Sequence, residues 1–450
     1  MNYVSKKAGI AFALFMAAEA VFNTLVGNYV QVFFTDMGVA AAAVGVIFLA
    51  ARVWDAVNDP MFGIIVDKSH LKGGKFLPWL KLANLLVPLT AMLIFLMPQS
   101  LSGGQKAVWA AAAYILYGMA YTVSDVSVFS LTSAVTNQVQ ERTSIVSRNT
   151  MVSTLAIVAV SILVPVLYPK IGWKLTALIF VGLATAMMLL LHGNVKERFV
   201  DETAKQTSLR ETLSYLKSNR CLFIFFAGLL LLNSTNTVQT AGLYFSTHAL
   251  GRPEFMSLIS LTIAIPTVIF AVLMPKITQR FDKFIVFRTA VIGQLAVSIL
   301  TFLVGYDSLP LLLLMFLLRG CTYGCVSILM FLFAGDFVEY GEYKSGRRLQ
   351  GTTYSIQTFV CKLYTALNGA IAMFGLSLAG FVSGSDAAQT PTAIQGTWWM
   401  VSIVPAIGAA LSLIFFFRYK LRDKDVQIMA RANSGELSHS EAERLLGGRY

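Results

Sequence analysis

Charge is scarce in this chain. Of its 450 residues, 13% are Asp, Glu, Lys or Arg, where an ordinary soluble domain carries about a quarter. Histidine and cysteine are rarer still, with four of each. The histidines (His70, His192, His248, His439) stand apart from one another, and none is paired at metal-ligand spacing. The cysteines (Cys221, Cys321, Cys325, Cys361) all fall in apolar stretches. That placement argues against a disulfide framework or a zinc site and for free thiols acting as small hydrophobes. There is no G-x-S-x-G, no H-E-x-x-H, no P-loop and no dinucleotide fingerprint, so neither an enzyme nor a bound cofactor is expected. The net charge of +12 accompanies no nucleic-acid motif, and no nucleic-acid partner is expected.

What the chain has instead is apolar length. It is 56% hydrophobic with a mean hydropathy of +0.68, and segments of ~20 mostly apolar residues, enough to cross a bilayer, recur along it. Twelve are expected, over 10–34, 39–66, 76–97, 107–133, 148–168, 175–193, 221–247, 255–275, 284–304, 309–335, 350–382 and 393–417. The first is too long for the apolar core of a signal peptide and carries Glu19, Asn23 and Asn28. Basic residues set the orientation. With both termini inside, the inner loops hold sixteen Lys and Arg, the outer loops four, and the tail after Phe417 seven more.

The longest polar segment, residues 194–220, has six spans on either side. Within it Ser208 and Glu211 have capping-box spacing. The loops VDKSHLKGGKF and PKITQRFDKFIVF echo each other about 210 residues apart, as a duplicated six-helix unit requires. The expected fold is an all-α membrane protein of twelve transmembrane helices in two pseudo-symmetric six-helix bundles, the major facilitator fold. Its parts are 1–193 (N-terminal bundle), 194–220 (cytoplasmic middle loop), 221–418 (C-terminal bundle) and 419–450 (cytoplasmic tail). Such folds belong to transporters with a site at the interface of the repeats.

A charged side chain at mid-bilayer costs ~2.5–3.5 kcal/mol even on the gentler scale, so the intramembrane charges are functional candidates. Among them are Glu19, Arg52, Asp55, Asp59, Asp125, Arg148, Arg319 and Lys362. In RVWDAVNDPMFG (52–63), Asp55 and Asp59 are i and i+4 on one helix face, with the Asn58 amide nearly on it. Two carboxylates so close in a low dielectric call for a cation or a proton between them. Pro60 lacks an amide hydrogen and frees a carbonyl one turn back. The alternative is a structural Arg52–Asp55 salt bridge, and Arg52 fits both readings.

RVWDAVNDPMFGIIVDKSHLKGGKFLPW resembles the signature of the glycoside–pentoside–hexuronide:cation symporters, typified by the melibiose permeases. So do GMAYTVSDVSVFSL (118–131), SRNTMVSTLAI (147–157), DFVEYGEYKSGRRLQGTTYSIQTFVCKL (336–363) and the tail DKD (423–425). The resemblance implies that Asp55, Asn58, Asp59 and Thr122 bind the coupling cation. It implies that Asp125 and Arg148 hydrogen-bond sugar hydroxyls, that Phe129 stacks on the sugar ring, and that Lys362 faces the carboxylates from the C-terminal half. Glu19, in AAEAVF, stands one position from an aspartate of the melibiose permeases, and Phe129 replaces their tryptophan. Both changes touch the sugar, so melibiose itself is not the expected substrate. Tyr354 and Gln357, at i and i+3, suit either sugar contact or packing. Arg52 is expected as a gating charge, together with Glu339, Glu342, Arg347 and Arg348 at the inner mouth.

The expected activity is symport of a small-molecule sugar or glycoside with Na⁺, by alternating access, in a multi-pass monomer of the cell inner membrane with both termini cytoplasmic. Coupling to H⁺, with glycoside or hexuronide as cargo, is the first alternative. A cation-dependent lysolipid carrier of the same fold is the second.

Overall fold

In a computed structural model of the protein, residues 5–69, 71–136, 139–197, 219–346, 350–384 and 387–449 are described. Ser208 and Glu211 of the expected capping box, and His70, lie outside them. Among the described residues the structure is all-helical. In chain order the helices are α1 Lys6–Asp36, α2 Ala41–Lys68, α3 Leu77–Phe95, α4 Gly103–Val135 and α5 Val139–Leu189, then α6 Arg220–Ser234, α7 Val238–His248, α8 Phe255–Arg280, α9 Lys283–Val304 and α10 Leu309–Ser345. They continue with α11 Gln350–Leu378, α12 Pro391–Val401, α13 Ile403–Arg418, α14 Asp423–Asn433 and α15 His439–Leu446.

Eleven helices among the described residues are long and apolar enough to cross a membrane, against the twelve expected. The difference lies in α5. Its apolar stretch, Ser144–Leu189, runs for 46 residues, more than twice what one ~30 Å crossing requires. Gly172 interrupts it with φ 79° and ψ 162°, so α5 contains two of the expected spans joined at a break. Trp173, beside that glycine, donates from Nε1 to Asp36 Oδ2 at 2.8 Å and stacks on Tyr168 at 4.1 Å. Two further spans are each divided in two. The seventh is interrupted over 235–237 between α6 and α7, and the twelfth at Ser402 between α12 and α13.

Several helix starts are capped by local side chains. Ser5 caps α1 through the Ala8 amide at 3.1 Å, and Ser102 with Gln105 forms a capping box on α4. Asp282 caps α9 by accepting from Phe284 and Ile285. The start of α3 has no local side-chain cap. The Glu197 carboxylate, 120 residues away in sequence, accepts from the amides of Lys75, Phe76 and Leu77 at 2.6–2.8 Å. Gly74, at φ +129°, makes room for it, since a Cβ there would lie 2.5 Å from Glu197 Oε1.

The chain divides into two compact units. The first covers residues 1–204, 239–260 and 369–398. In it α1 is buried along most of its length, packed chiefly on α5, while α2 and α3 pack on α4. Polar bonds tie the first unit at several levels. Tyr29 Oη donates to the Ser161 carbonyl at 3.1 Å, Thr35 and Tyr244 share a hydrogen bond of 2.9 Å, and Ser257 Oγ donates to the Ile162 carbonyl at 2.6 Å. The second unit covers residues 205–238, 261–368 and 399–450. Its core is an aromatic cluster in which Phe225 meets Phe287, Phe333 and Phe337 at centroid distances of 4.6–5.3 Å. Met429, Ala442 and Leu446 of the tail helices join that core.

Candidate functional site

Both charged clusters of the first unit are organised around α4. At 3.6 residues per turn, Ser124, Tyr117, Tyr121, Tyr114, Asp125, Gly118 and Thr122 fall in that order across an arc of about 160°. Asp125 and Tyr121 lie near its middle. Gly118 and Thr122 form the edge that meets α2, and Ser124 forms the edge that meets α1.

At the α2 edge, Thr122 Oγ1 donates to Asp59 Oδ1 at 2.8 Å, and it also lies 3.1 Å from the Gly118 carbonyl. Asp55 lies one turn back along α2, against the bare α-carbon of Gly118. A Cβ on that glycine would stand 3.1 Å from Asp55 Oδ1. The other Asp55 oxygen accepts from Arg52 Nη1 at 3.0 Å, so the salt bridge of the alternative reading of this pair is present. Arg52 also reaches the Tyr114 hydroxyl, and the Tyr114 ring stacks on Phe48 at 4.7 Å. Asn58 is 9% exposed, and its Nδ2 has no hydrogen-bond partner in the structure. The structure thus gathers Asp55, Asp59, Thr122 and Arg52 at one place, with Asn58 on the same helix. No group of three His, Cys, Asp or Glu side chains among the described residues is arranged to hold a metal. A cation here would have to be held by mixed carboxylate, amide and hydroxyl oxygens, a donor set that suits a hard monovalent ion.

At the α1 edge, Glu19 is 3% exposed and accepts a short hydrogen bond from Ser124 Oγ. Asp125 lies near enough for its charge to act on Glu19. One turn along α1, Asn23 Nδ2 donates to the Tyr121 hydroxyl at 3.4 Å. Phe129, 59% exposed, falls at the angular position between Gly118 and Thr122 on α4. A buried carboxylate, a second carboxylate and an amide converge on one face, as recognition of a hydroxyl-rich ligand requires. Arg148 is not part of this group. Its guanidinium lies against α1 at Gly9, where a Cβ would collide with Nη1, ten residues and ~15 Å of helix from Glu19.

The remaining candidates belong to the second unit. Gln357 is buried in α11 and donates from Nε2 to the Met330 carbonyl at 3.4 Å, and Lys362 is half-buried on the same helix. Glu339 receives the tail's Asn433 Nδ2 on its carbonyl at 3.0 Å and on its carboxylate at 2.9 Å. Glu342 accepts the C-capping amide of Gly346 on its carbonyl at 2.8 Å. Arg347, Arg348 and the side chain of Tyr354 lie outside the described residues. Arg319, 2% exposed, donates to the Val401 carbonyl at 3.1 Å and to Asn236 Oδ1 at 3.2 Å, and so joins two helix breaks.

Sequence reasoning missed Gly118, Ser124, Asn23, Tyr114 and Tyr117. The available signal was helical spacing of polar residues within an apolar span: 114, 117, 118, 121, 122 and 125 share one side of α4.

Known proteins are similar to this chain over most of its length. The family model described as "MFS/sugar transport protein" matches residues 11–423. An uncharacterized symporter of Bacillus subtilis (strain 168), YjmB, is 31% identical over 414 residues, covering 88% of each chain. The glucuronide carrier protein homolog of Escherichia coli (strain K12) is 30% identical over 402 residues, covering 87% of each. Among solved structures, a bacterial homolog of the human lysosomal transporter Spinster, inward-facing and unoccupied, superimposes with a TM-score of 0.68 at 12% identity. It covers 92% of this chain and 96% of its own.

Proposed function

Because the chain belongs to the MFS/sugar transport protein family, we propose that it is a secondary active symporter carrying a glycoside together with Na⁺ by alternating access. It is a multi-pass membrane transporter of the major facilitator type and not an enzyme. The single observation that carries the finer reading is the α2–α4 contact, in which the Thr122 hydroxyl meets Asp59 while Asp55 rests on Gly118. Hydroxyl, amide and two carboxylates there supply neutral and anionic oxygens for one monovalent cation. Glu19 on the other edge and Asp125 near the middle of the arc accept hydrogen bonds from substrate hydroxyls, with Ser124 holding Glu19 in place and Phe129 offering its ring face to the sugar. The glucuronide carrier homolog directs attention to glycosides and their uronic acids as cargo. We place the protein in a bacterial inner membrane with both termini cytoplasmic, from the bias of Lys and Arg between its loops.

The test is thermal unfolding of the purified protein with a panel of glycosides, uronides and lysolipids. Each is measured in Na⁺ and in choline, at acid and at neutral pH. A ligand of the native state raises its stability by mass action. The reading predicts a glycoside whose stabilisation grows with Na⁺. Stabilisation that follows pH and ignores Na⁺ would establish a proton symporter instead. Stabilisation by lysolipids alone would overturn the sugar reading.

A further inference from the structure

Buried polar atoms near the α4 arc are left without partners by both clusters. The Tyr117 hydroxyl, on a residue 7% exposed, has no hydrogen-bond partner in the structure, and neither has Arg52 Nε. Its neighbours on the arc are engaged, Tyr114 with Arg52 and Tyr121 with Asn23. Tyr117 follows Tyr114 by three residues, and its ring lies 5.8 Å from that of Tyr121. The charges that act on its hydroxyl come from both sides, Glu19 and Asp125 from one cluster and Arg52 from the other. A buried hydroxyl without a partner forfeits its solvation, so a rearrangement that supplies one is favoured.

Arg52 can supply it. In this structure the guanidinium is paired with Asp55, and a cation held by Asp55 and Asp59 competes for that same carboxylate. We propose that Tyr117 is the positioning residue through which the two clusters sense each other. When a cation takes Asp55, Arg52 turns to the Tyr117 oxygen and donates to it. The Tyr117 proton is then directed to the α1 side of the arc, where Glu19 receives the substrate. Occupancy of the α2 edge is thereby read at the α1 edge, and by linkage the effect is reciprocal. This inference rests on the symporter reading.

The experiment is equilibrium binding of two probes, 4-nitrophenyl β-D-glucuronide and 4-nitrophenyl α-D-xyloside, to the full-length protein. Each affinity is measured in Na⁺, in choline, and at acid and neutral pH. The quantity read is the factor by which the cation raises probe affinity. In Tyr117→Phe, which deletes one oxygen, this factor is expected to fall about tenfold or to reach one, with the cation-independent affinity little changed. Arg52→Lys, which keeps the charge and loses the guanidinium fork, is expected to lower it as well and serves if the first variant folds poorly. Tyr121→Phe removes a hydroxyl that already has a partner, and should weaken the probe equally with and without the cation. A factor in Tyr117→Phe equal to that of the wild type would overturn the relay while leaving the symporter intact. A wild type that binds neither probe, or binds without regard to either cation, would overturn the symporter reading and the relay with it.

Discussion

Gly118→Ala separates the two consequences of placing a carboxylate against a bare helix backbone. The new Cβ would lie 3.1 Å from Asp55 Oδ1, where ordinary contact begins near 3.4 Å. The other carboxylate oxygen is held by Arg52 at 3.0 Å, so Asp55 must pivot by about 0.3 Å, more than the ~0.2 Å tolerance of a coordination bond. Disturbing the support of a metal ligand costs 10–100-fold in affinity, and we expect Na⁺ binding to weaken by about tenfold. Stability should move the other way or not at all, because alanine is better than glycine within a helix by up to about 1 kcal/mol. Isothermal titration with Na⁺ reads the first effect, and the unfolding midpoint in choline reads the second. A folded Gly118→Ala protein with undiminished Na⁺ affinity would refute the placement of the cation at Asp55. Lost stability together with lost affinity would mean that the contact is packing alone.

Three other substitutions have defined outcomes. Asp59→Cys removes the carboxylate that accepts from Thr122 and should abolish gradient-driven accumulation in vesicles while some exchange or binding of substrate persists. Full accumulation would contradict the coupling role. Ser124→Ala deprives the buried Glu19 of its donor, and leaving a buried polar group unsatisfied costs about 1–3 kcal/mol. Binding of 4-nitrophenyl β-D-glucuronide should therefore weaken about tenfold, with Na⁺ affinity in its absence preserved. Lys283 Nζ sits 2.7 and 2.8 Å from the Asp336 oxygens and 3.4 Å from Asp423, so Lys283→Met leaves two carboxylates facing each other. That should cost about 2 kcal/mol of unfolding free energy, and adding Asp336→Asn should restore part of it.

The spans were legible because a bilayer imposes its requirement locally: about twenty apolar residues reveal a crossing wherever it packs. The Asp55, Asn58 and Asp59 group was legible for the same reason, since i, i+3 and i+4 share a helix face in any environment. Local pattern also located the Arg52–Asp55 pair. It gave spans five and six as separate crossings but not the break between them, which depends on the backbone that Gly172 adopts beside Trp173.

What faces the aspartates is a different kind of fact. Thr122 was reached through family resemblance, and Gly118, Ser124 and Tyr117 were not reached at all. Thr122, Gly118 and Ser124 meet their partners across 60 to more than 100 residues of sequence, as do Glu197 and the start of α3. Hydropathy and helical period thus determined that this chain spans a membrane and carries a carboxylate pair on one helix. Only the tertiary structure decided that α4 presents a hydroxyl and a gap to that pair on one edge, and a serine to Glu19 on the other. The reason is physical: periodicity records which way a residue points, and contacts between distant segments decide what it points at.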